Sequence, residues 1–348
     1  MSAQTASAPA PANDAPPAQR RSFIDTVVRA REVSLIGVLA ILVLGVSIKE
    51  PRFLNAQNLR DILLNVTIVA LLAVGQTIVV VTRNIDLSVG SVLGITAFAT
   101  GVMFADHHMP IVLVFILGML FGAFFGLING AMVAFARVPS LVITLGTLYV
   151  IRGIDYAWAH GRQINASDMP NGFLKLGTAE ILGVPILPLF ALAAMLIVGT
   201  VLGRARMGRE LYAIGSNPDA ALLAGIRTTR RVLGAFVASG AIAGLAGVLY
   251  AARYGTLDAA AGNGIELSAV SAVVVGGVAI FGGAGTVYGA ALGALLLATI
   301  RSALVILQVN PFWEQAINGA LLLLAIGLDA FLAKRLAREL RKRASHRV

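Results

Sequence analysis

Residues 110–135 read Pro110-Ile-Val-Leu-Val-Phe-Ile-Leu-Gly118-Met-Leu-Phe-Gly122-Ala-Phe-Phe-Gly126-Leu-Ile-Asn129-Gly130-Ala-Met-Val-Ala-Phe135. No charged residue interrupts this run. It exceeds the ~20 apolar residues that carry a helix across the hydrocarbon layer. Gly118, Gly122, Gly126 and Gly130 recur every four residues, slightly more than one helical turn, so they line one face. Lipid supplies no water-driven force between helices, and a glycine groove lets a second backbone come close. The pattern therefore predicts a packing face; a pore lining of small side chains is the alternative. Gly240 with Gly244, and Gly285 with Gly289 and Gly293, repeat the spacing.

The rest of the chain has the same character. Of 348 residues 58% are hydrophobic and 13% charged, against about 25% charged in a soluble domain; mean hydropathy is +0.86. Runs of membrane-spanning length fall near 33–48, 62–82, 88–105, 110–135, 138–158, 184–203, 232–254, 267–281, 285–307 and 312–332. The expectation is an all-α polytopic membrane protein of roughly ten transmembrane helices. The transmembrane domain is 33–332. A tail at 1–32, with Pro9, Pro11, Pro16 and Pro17 among Ala, Ser and Gln, cannot bury apolar surface and is expected to be disordered. A basic tail follows at 333–348. The eighth run is short and Gly-rich, which suits a broken helix or part of a re-entrant pair.

The formal net charge is +10. On a soluble chain this points to nucleic acid; on a membrane chain basic residues mark the cytoplasmic side, and no nucleic-acid partner is expected. With an even number of spans, the N-terminus, Arg83, Arg137, the 203–231 loop and the C-terminus carry nineteen Arg and Lys, and the other side seven. Both termini and the 203–231 loop are therefore expected in the cytoplasm. Arg20-Arg21-Ser22-Phe23-Ile24 resembles a twin-arginine signal, but Arg29 and Arg31 follow and no cleavage pattern does; we read it as a cytoplasmic anchor.

Enzyme chemistry finds no support. Cysteine is absent and only four histidines occur. His107-His108 has no third ligand nearby and reads as a solvated loop, so neither metal nor cofactor is expected. The clusters Gly276-Gly277 and Gly282-Gly283-Ala284-Gly285 have no lysine beside them and join apolar runs, so no phosphate-cradling loop is present and ATP hydrolysis is not expected of this chain. Acidic residues are nearly absent from the spans, whereas proton- or sodium-coupled carriers need them. Asp155 and Glu266 fall near helix ends, where a cap or an arginine partner accounts for them as well as substrate binding does. Asn65, Gln76, Asp86, Ser88, Asn129, Thr144 and Thr147 are the candidate translocation-path residues: amides and hydroxyls suit a neutral, hydroxyl-rich solute. The same groups also hold helices together. A faint internal echo pairs Val74-Gly75 and Gly90…Gly94 with Val275-Gly276 and Gly289…Gly293, as in carriers built from two related halves.

The 203–231 loop stands apart. In Gly215-Ser216-Asn217-Pro218-Asp219-Ala220-Ala221-Leu-Leu-Ala224-Gly225, Ser216 or Asn217 can cap a helix, Pro218 fits its first position, Asp219 favours its positive end and Gly225 can close it. The result is a two-turn helix flanked by arginines. Its small-residue face of Ala220, Ala221 and Ala224 suits docking in another protein's groove; a membrane-surface helix is the alternative.

Here the sequence resembles a known family. Ala213-x-Gly215-x-Asn217-x-x-Ala220-Ala221-x-x-x-Gly225-Ile226 is similar to the coupling motif of bacterial ABC permeases of the ribose, xylose, arabinose and galactose type, to which autoinducer-2 and rhamnose permeases also belong. Asp86-Leu-Ser-Val-Gly90-Ser91, Asn129-Gly130, Val138-Pro139-Ser140, Thr144-Leu-Gly146-Thr147 and Val275-Gly276-Gly277 with Gly282-Gly283-x-Gly285-Thr286 resemble further blocks, in order over about 75–300. Asn84 departs from the usual Gly. The resemblance implies the permease subunit of an ATP-driven importer of a monosaccharide in the bacterial inner membrane. It implies a permease homodimer, ATP-binding subunits on the cytoplasmic side and a periplasmic sugar-binding protein. It assigns coupling to Gly208, Gly215, Asn217, Ala220, Ala221, Ala224 and Gly225. An ion-coupled secondary transporter of a small polar solute, or a channel, is the rival reading; neither explains the cytoplasmic Ala/Gly helix.

Overall fold

The computed structural model describes residues 23–136, 138–310, 312–327 and 331. Its helices follow the apolar runs in order: α1 Phe23–Lys49, α2 Ala56–Val80, α3 Val89–Ala105, α4 Ile111–Ala136, α5 Ser140–Ala159, α6 Asn171–Thr178, α7 Leu187–Arg204, α8 Arg206–Ser216, α9 Pro218–Leu223, α10 Thr228–Tyr254, α11 Ile265–Val275 and α12 Val287–Ile306, then a helical stretch α13 over 313–327. A two-stranded antiparallel hairpin, β1 Glu180–Ile181 and β2 Val184–Pro185, follows α6. The fold is mostly helical, as expected.

Among the described residues, six helices are long and apolar enough to cross a membrane: residues 32–49 of α1, and α2, α4, α7, α10 and α12. The remaining expected spans are helical but shorter or more polar. α3 has 17 residues, and α5 carries Arg152 and Asp155. The eighth expected run is only the 11-residue α11, about 16 Å long, followed by the turn 276–285. α1 begins at Phe23, so residues 23–32, expected in a disordered tail, are helical. Residues 1–22 of that tail and the basic tail 333–348 lie outside the described residues.

α2 occupies the centre: from Thr67 to Val80 it is almost wholly buried and mostly apolar. α7, α10, α11 and α12 pack against it, and α3 joins the same hydrophobic core. α1, α4, α5 and α7 turn large apolar side chains outward, the surface that lipid requires.

The glycine ladder meets its counterpart. A β-carbon on Gly122 would collide with the Gly240 carbonyl and lie 2.7 Å from Gly244 N. One on Gly240 would stand 2.9 Å from the Gly126 Cα, and one on Gly244 3.2 Å from the Gly122 Cα. α4 and α10 thus interdigitate backbone against backbone, the packing the four-residue spacing predicts. Gly276 and Gly289 do the same between α11 and α12. Gly285 is not on that helical face: it lies in the preceding turn with φ +121°, and Thr286 caps α12 by accepting from Gly289 N at 2.9 Å.

The connections sort to two ends. At one end Arg60 pairs with Glu180 at 2.6 Å, Arg162 with Asp106 at 2.6 Å, and Ile164 bridges to Leu257. At the other, the 81–88 linker, α8–α9 and the 276–285 turn meet, and Glu32 accepts from Thr286 Oγ1 at 2.5 Å.

Candidate functional site

α9 forms as its sequence dictates. The Asn217 side chain accepts from Ala220 N–H at 3.0 Å, and Pro218 takes the first helical position. Gly225, at φ +79°, permits the left-handed close: Ile226 N–H donates to Ala221 C=O and Gly225 N–H to Leu222 C=O, both at 3.0 Å. α8, which the sequence reading leaves as part of the arginine-flanked loop, carries Glu210 between Arg231 at 2.5 Å and Arg206 at 2.7 Å. The hydrogen bond from Arg231, then that from Arg206, holds the Glu210 carboxyl below its ordinary range. That pair ties α8 to the first turn of α10.

The end of α8 is keyed into the membrane body. Gly215 lies so close to the Val81 carbonyl that no side chain fits between them. The Arg83 guanidinium donates to the carbonyls of Gly215 and, at 2.8 Å, of Ser216. Gly283 N–H donates to Val81 O at 3.0 Å. Tyr212 donates to Gly285 O at 2.8 Å; burial pushes its phenol up to about 12, so it stays a donor. Gly208 is closed in by the backbone of Val201 and Leu202. The candidate coupling residues therefore fall into two groups. Gly208 and Gly215 fix the platform. Asn217, Ala220, Ala224 and Gly225 are exposed. Ala221, expected on the docking face, is only 5% exposed and turns into its own chain. Leu222 at 63% and Leu223 at 89% exposure take the outward position instead.

The candidate path residues converge, but on one another. After α2 the linker 82–88 is pinned by side chains from three helices. Asp86 Oδ1 accepts from Ser88 N (3.0 Å) and Ser88 Oγ (2.6 Å). Asn129 of α4 donates to Ser88 Oγ at 2.7 Å. Ile85 N donates to Ser140 Oγ and Thr144 Oγ1 donates to Ile85 O, each at 3.1 Å. The Gln76 amide, oriented by its partners, spans the Asp86 backbone at 3.0 and 3.2 Å. Gln76, Asp86, Ser88, Asn129 and Thr144 are thus buried in one seam that joins α2, α3, α4 and α5. Thr147 sits a turn further along α5, bonded to Thr144 O at 3.3 Å. Asn65 is three turns away on α2 and takes no part.

Among the described residues Asp155 neither caps nor pairs, whereas Glu266 lies in the first turn of α11 with the backbone of Gly264 and Glu266 against its carboxyl. Arg152 donates instead to the carbonyls of Ala259 (3.2 Å) and Ala261 (2.7 Å). Both Asp155 oxygens and Glu266 Oε2 are buried without a hydrogen-bond partner among the described residues. No group of three or more His, Cys, Asp or Glu able to hold a metal occurs among them.

Apolar helices with glycine-keyed contacts, buried polar seams and a docked helical platform at one end are the build of a polytopic membrane protein. Residues 58–326 match the family model described as "Branched-chain amino acid transport system / permease component", and the chain belongs to that family; its location is the inner, or cell, membrane. It is 36% identical over 315 residues to the autoinducer 2 import system permease protein LsrC of Salmonella typhi, covering 90% of this chain and 89% of that one. It is 38% identical to LsrC of Salmonella typhimurium, covering 84% of each. LsrC of Escherichia coli is 34% identical, covering 90% of each. No solved structure gives a match.

Proposed function

We propose that this chain is the membrane-spanning subunit of an ATP-driven importer for a monosaccharide or a closely related hydroxylated solute. Two copies pair in the inner membrane, with roughly ten helices each and both termini in the cytoplasm. ATP-binding subunits seat on α9, a periplasmic binding protein delivers the solute to the opposite end, and this chain itself hydrolyses nothing. One observation carries the reading: α9 presents Leu222 and Leu223 outward from a platform locked to the membrane body through Arg83 and Gly215. Exposed leucines on a rigid knob fit a protein groove, and the lock would transmit its displacement to α2 and the 276–285 turn. The arginine bias supports a cytoplasmic position for that end, and the LsrC relatives are import-system permeases by name.

The test is purification of the tagged full-length chain from its own membranes. ATP-binding subunits should co-purify, and uptake should survive collapse of the proton and sodium gradients. Uptake that needs either gradient and no ATPase would instead make the protein an ion-coupled carrier.

A further inference from the structure

The segment between α10 and α11 is irregular backbone deep in the membrane domain. Gly262 lies against Gly90 O, 2.9 Å from the position its β-carbon would take. A β-carbon on Gly94 would collide with the Ala261 carbonyl and meet Arg152 Nη1 at 2.6 Å; one on Gly90 would collide with the Glu266 carboxylate. Gly94 and Gly90 lie eleven and fifteen residues before the outer end of α3 at Ala105, hence about 16 and 22 Å along its axis. The hydrocarbon layer is about 30 Å thick, so residues 261–266 reach the middle of it. Yet Asp258, Ala260, Asn263 and Gly264 are exposed. Non-helical backbone at membrane depth cannot face lipid; it must be covered by protein or line water.

A second observation bears on what passes there. Asp155 is fully buried with both carboxylate oxygens unpartnered, and Glu266, 9% exposed, leaves Oε2 unpartnered. Asp155 lies within electrostatic reach of both Arg152 and Asp258. Arg152 is already committed to the Ala259 and Ala261 carbonyls. The neighbourhood holds one guanidinium, spent on backbone carbonyls, and three carboxyl groups, so its free polar atoms are mainly hydrogen-bond acceptors. Groups that donate hydrogen bonds without charge, the O–H groups of a polyol or sugar, match it.

We propose that residues 258–266, braced on α3 by Arg152, line an aqueous pathway at the middle of the membrane. Asp155 and Glu266 accept hydrogen bonds there from the hydroxyls of an uncharged, polyhydroxylated solute. This deepens the importer reading and rests on it only in calling the pathway a route for solute.

The chain has no cysteine, so the test needs no background removed. Asn263→Cys and Leu120→Cys, the latter on the outward face of α4, are treated with a membrane-impermeant charged thiol reagent in proteoliposomes. Asn263→Cys should react at least about tenfold faster, because a thiolate and a charged reagent meet only in water. D-ribose, D-xylose or D-glucose at high millimolar concentration should slow that reaction, and L-leucine should not. Equal, slow labelling at both positions overturns the pathway and leaves residues 258–266 packed on a second copy. Rapid labelling that leucine slows, or that no sugar slows, overturns the solute class. Labelling needs no ATPase, so failure of the importer reading would appear separately, as fast sugar-sensitive labelling without ATP-dependent uptake.

Discussion

Gly215 at the end of α8 packs directly on the Val81 carbonyl just past the end of α2. A β-carbon on Gly215 would also lie 2.5 Å from Gly283 N, the donor to that same carbonyl. Three segments far apart in sequence meet at this one hydrogen atom. Gly215→Val must push α8 away from α2 and break the Arg83 bonds to Gly215 and Ser216. The expected outcome is a chain that inserts normally but whose α8–α9 segment is cleaved many-fold faster by protease added to inside-out vesicles. Wild-type resistance would mean the platform is not held at this point.

Gly122 has no room for a side chain, because Gly240 and Gly244 occupy the space from α10. Gly122→Leu should separate α4 from α10 and sharply lower the yield of monodisperse protein in detergent. The expected loss is of the size of severe overpacking, about 3 kcal/mol or more. The same change at Gly146, which has nothing within 4 Å, should leave the yield of the single chain unchanged. Equal yields from both variants would contradict the ladder.

At the end opposite α9, Arg162 donates to both oxygens of Asp106 at 2.6 and 2.7 Å. The hydrogen bond from Arg162 holds the Asp106 carboxyl below its ordinary value. A carboxyl depressed in the folded state contributes stability above its unfolded pKa, about 3.9, and loses it as pH falls through the lower folded value. The difference in melting temperature between wild type and Arg162→Ala should therefore be small but present at pH 7, and should close as the pH falls below that range. A difference that grows on acidification would contradict the pairing.

Much of this architecture was legible in the sequence. Helix order follows from apolar runs, and the α4–α10 contact from glycine spacing, because both are local periodicities. Asn217, Pro218 and Gly225 announce α9 for the same reason. What stayed hidden depends on distant neighbours. Ala221 reads as surface in a small-residue face, but the direction of a two-turn helix is set by the Gly215 contact, and Leu222 and Leu223 face outward instead. The 206–216 stretch carries helical signals of its own, Arg206 with Glu210 and Leu211 with Ile214, which the surrounding arginines masked. Asp86, Ser88, Asn129 and Thr144 read in sequence as candidate path residues together with Asn65, Gln76 and Thr147, but that they satisfy one another and close the seam depends on the fold. Asp155 and Glu266 near helix ends suggest caps, and only the fold shows both Asp155 oxygens and Glu266 Oε2 unpartnered.

If α9 couples this membrane body to an ATP-hydrolysing partner, Leu223, 89% exposed, lies at the contact. Leu223→Arg removes an apolar contact and places a long cation in a groove, where an unpaired buried charge costs several kcal/mol. The side chain touches nothing that holds the permease together, so insertion and detergent yield should match wild type. The measurement is ATP hydrolysis by the reconstituted importer, with and without solute-loaded binding protein. The account predicts stimulation by the loaded protein in wild type and its loss, by about tenfold or more, in Leu223→Arg. Undiminished stimulation in a normally folded Leu223→Arg variant would contradict it.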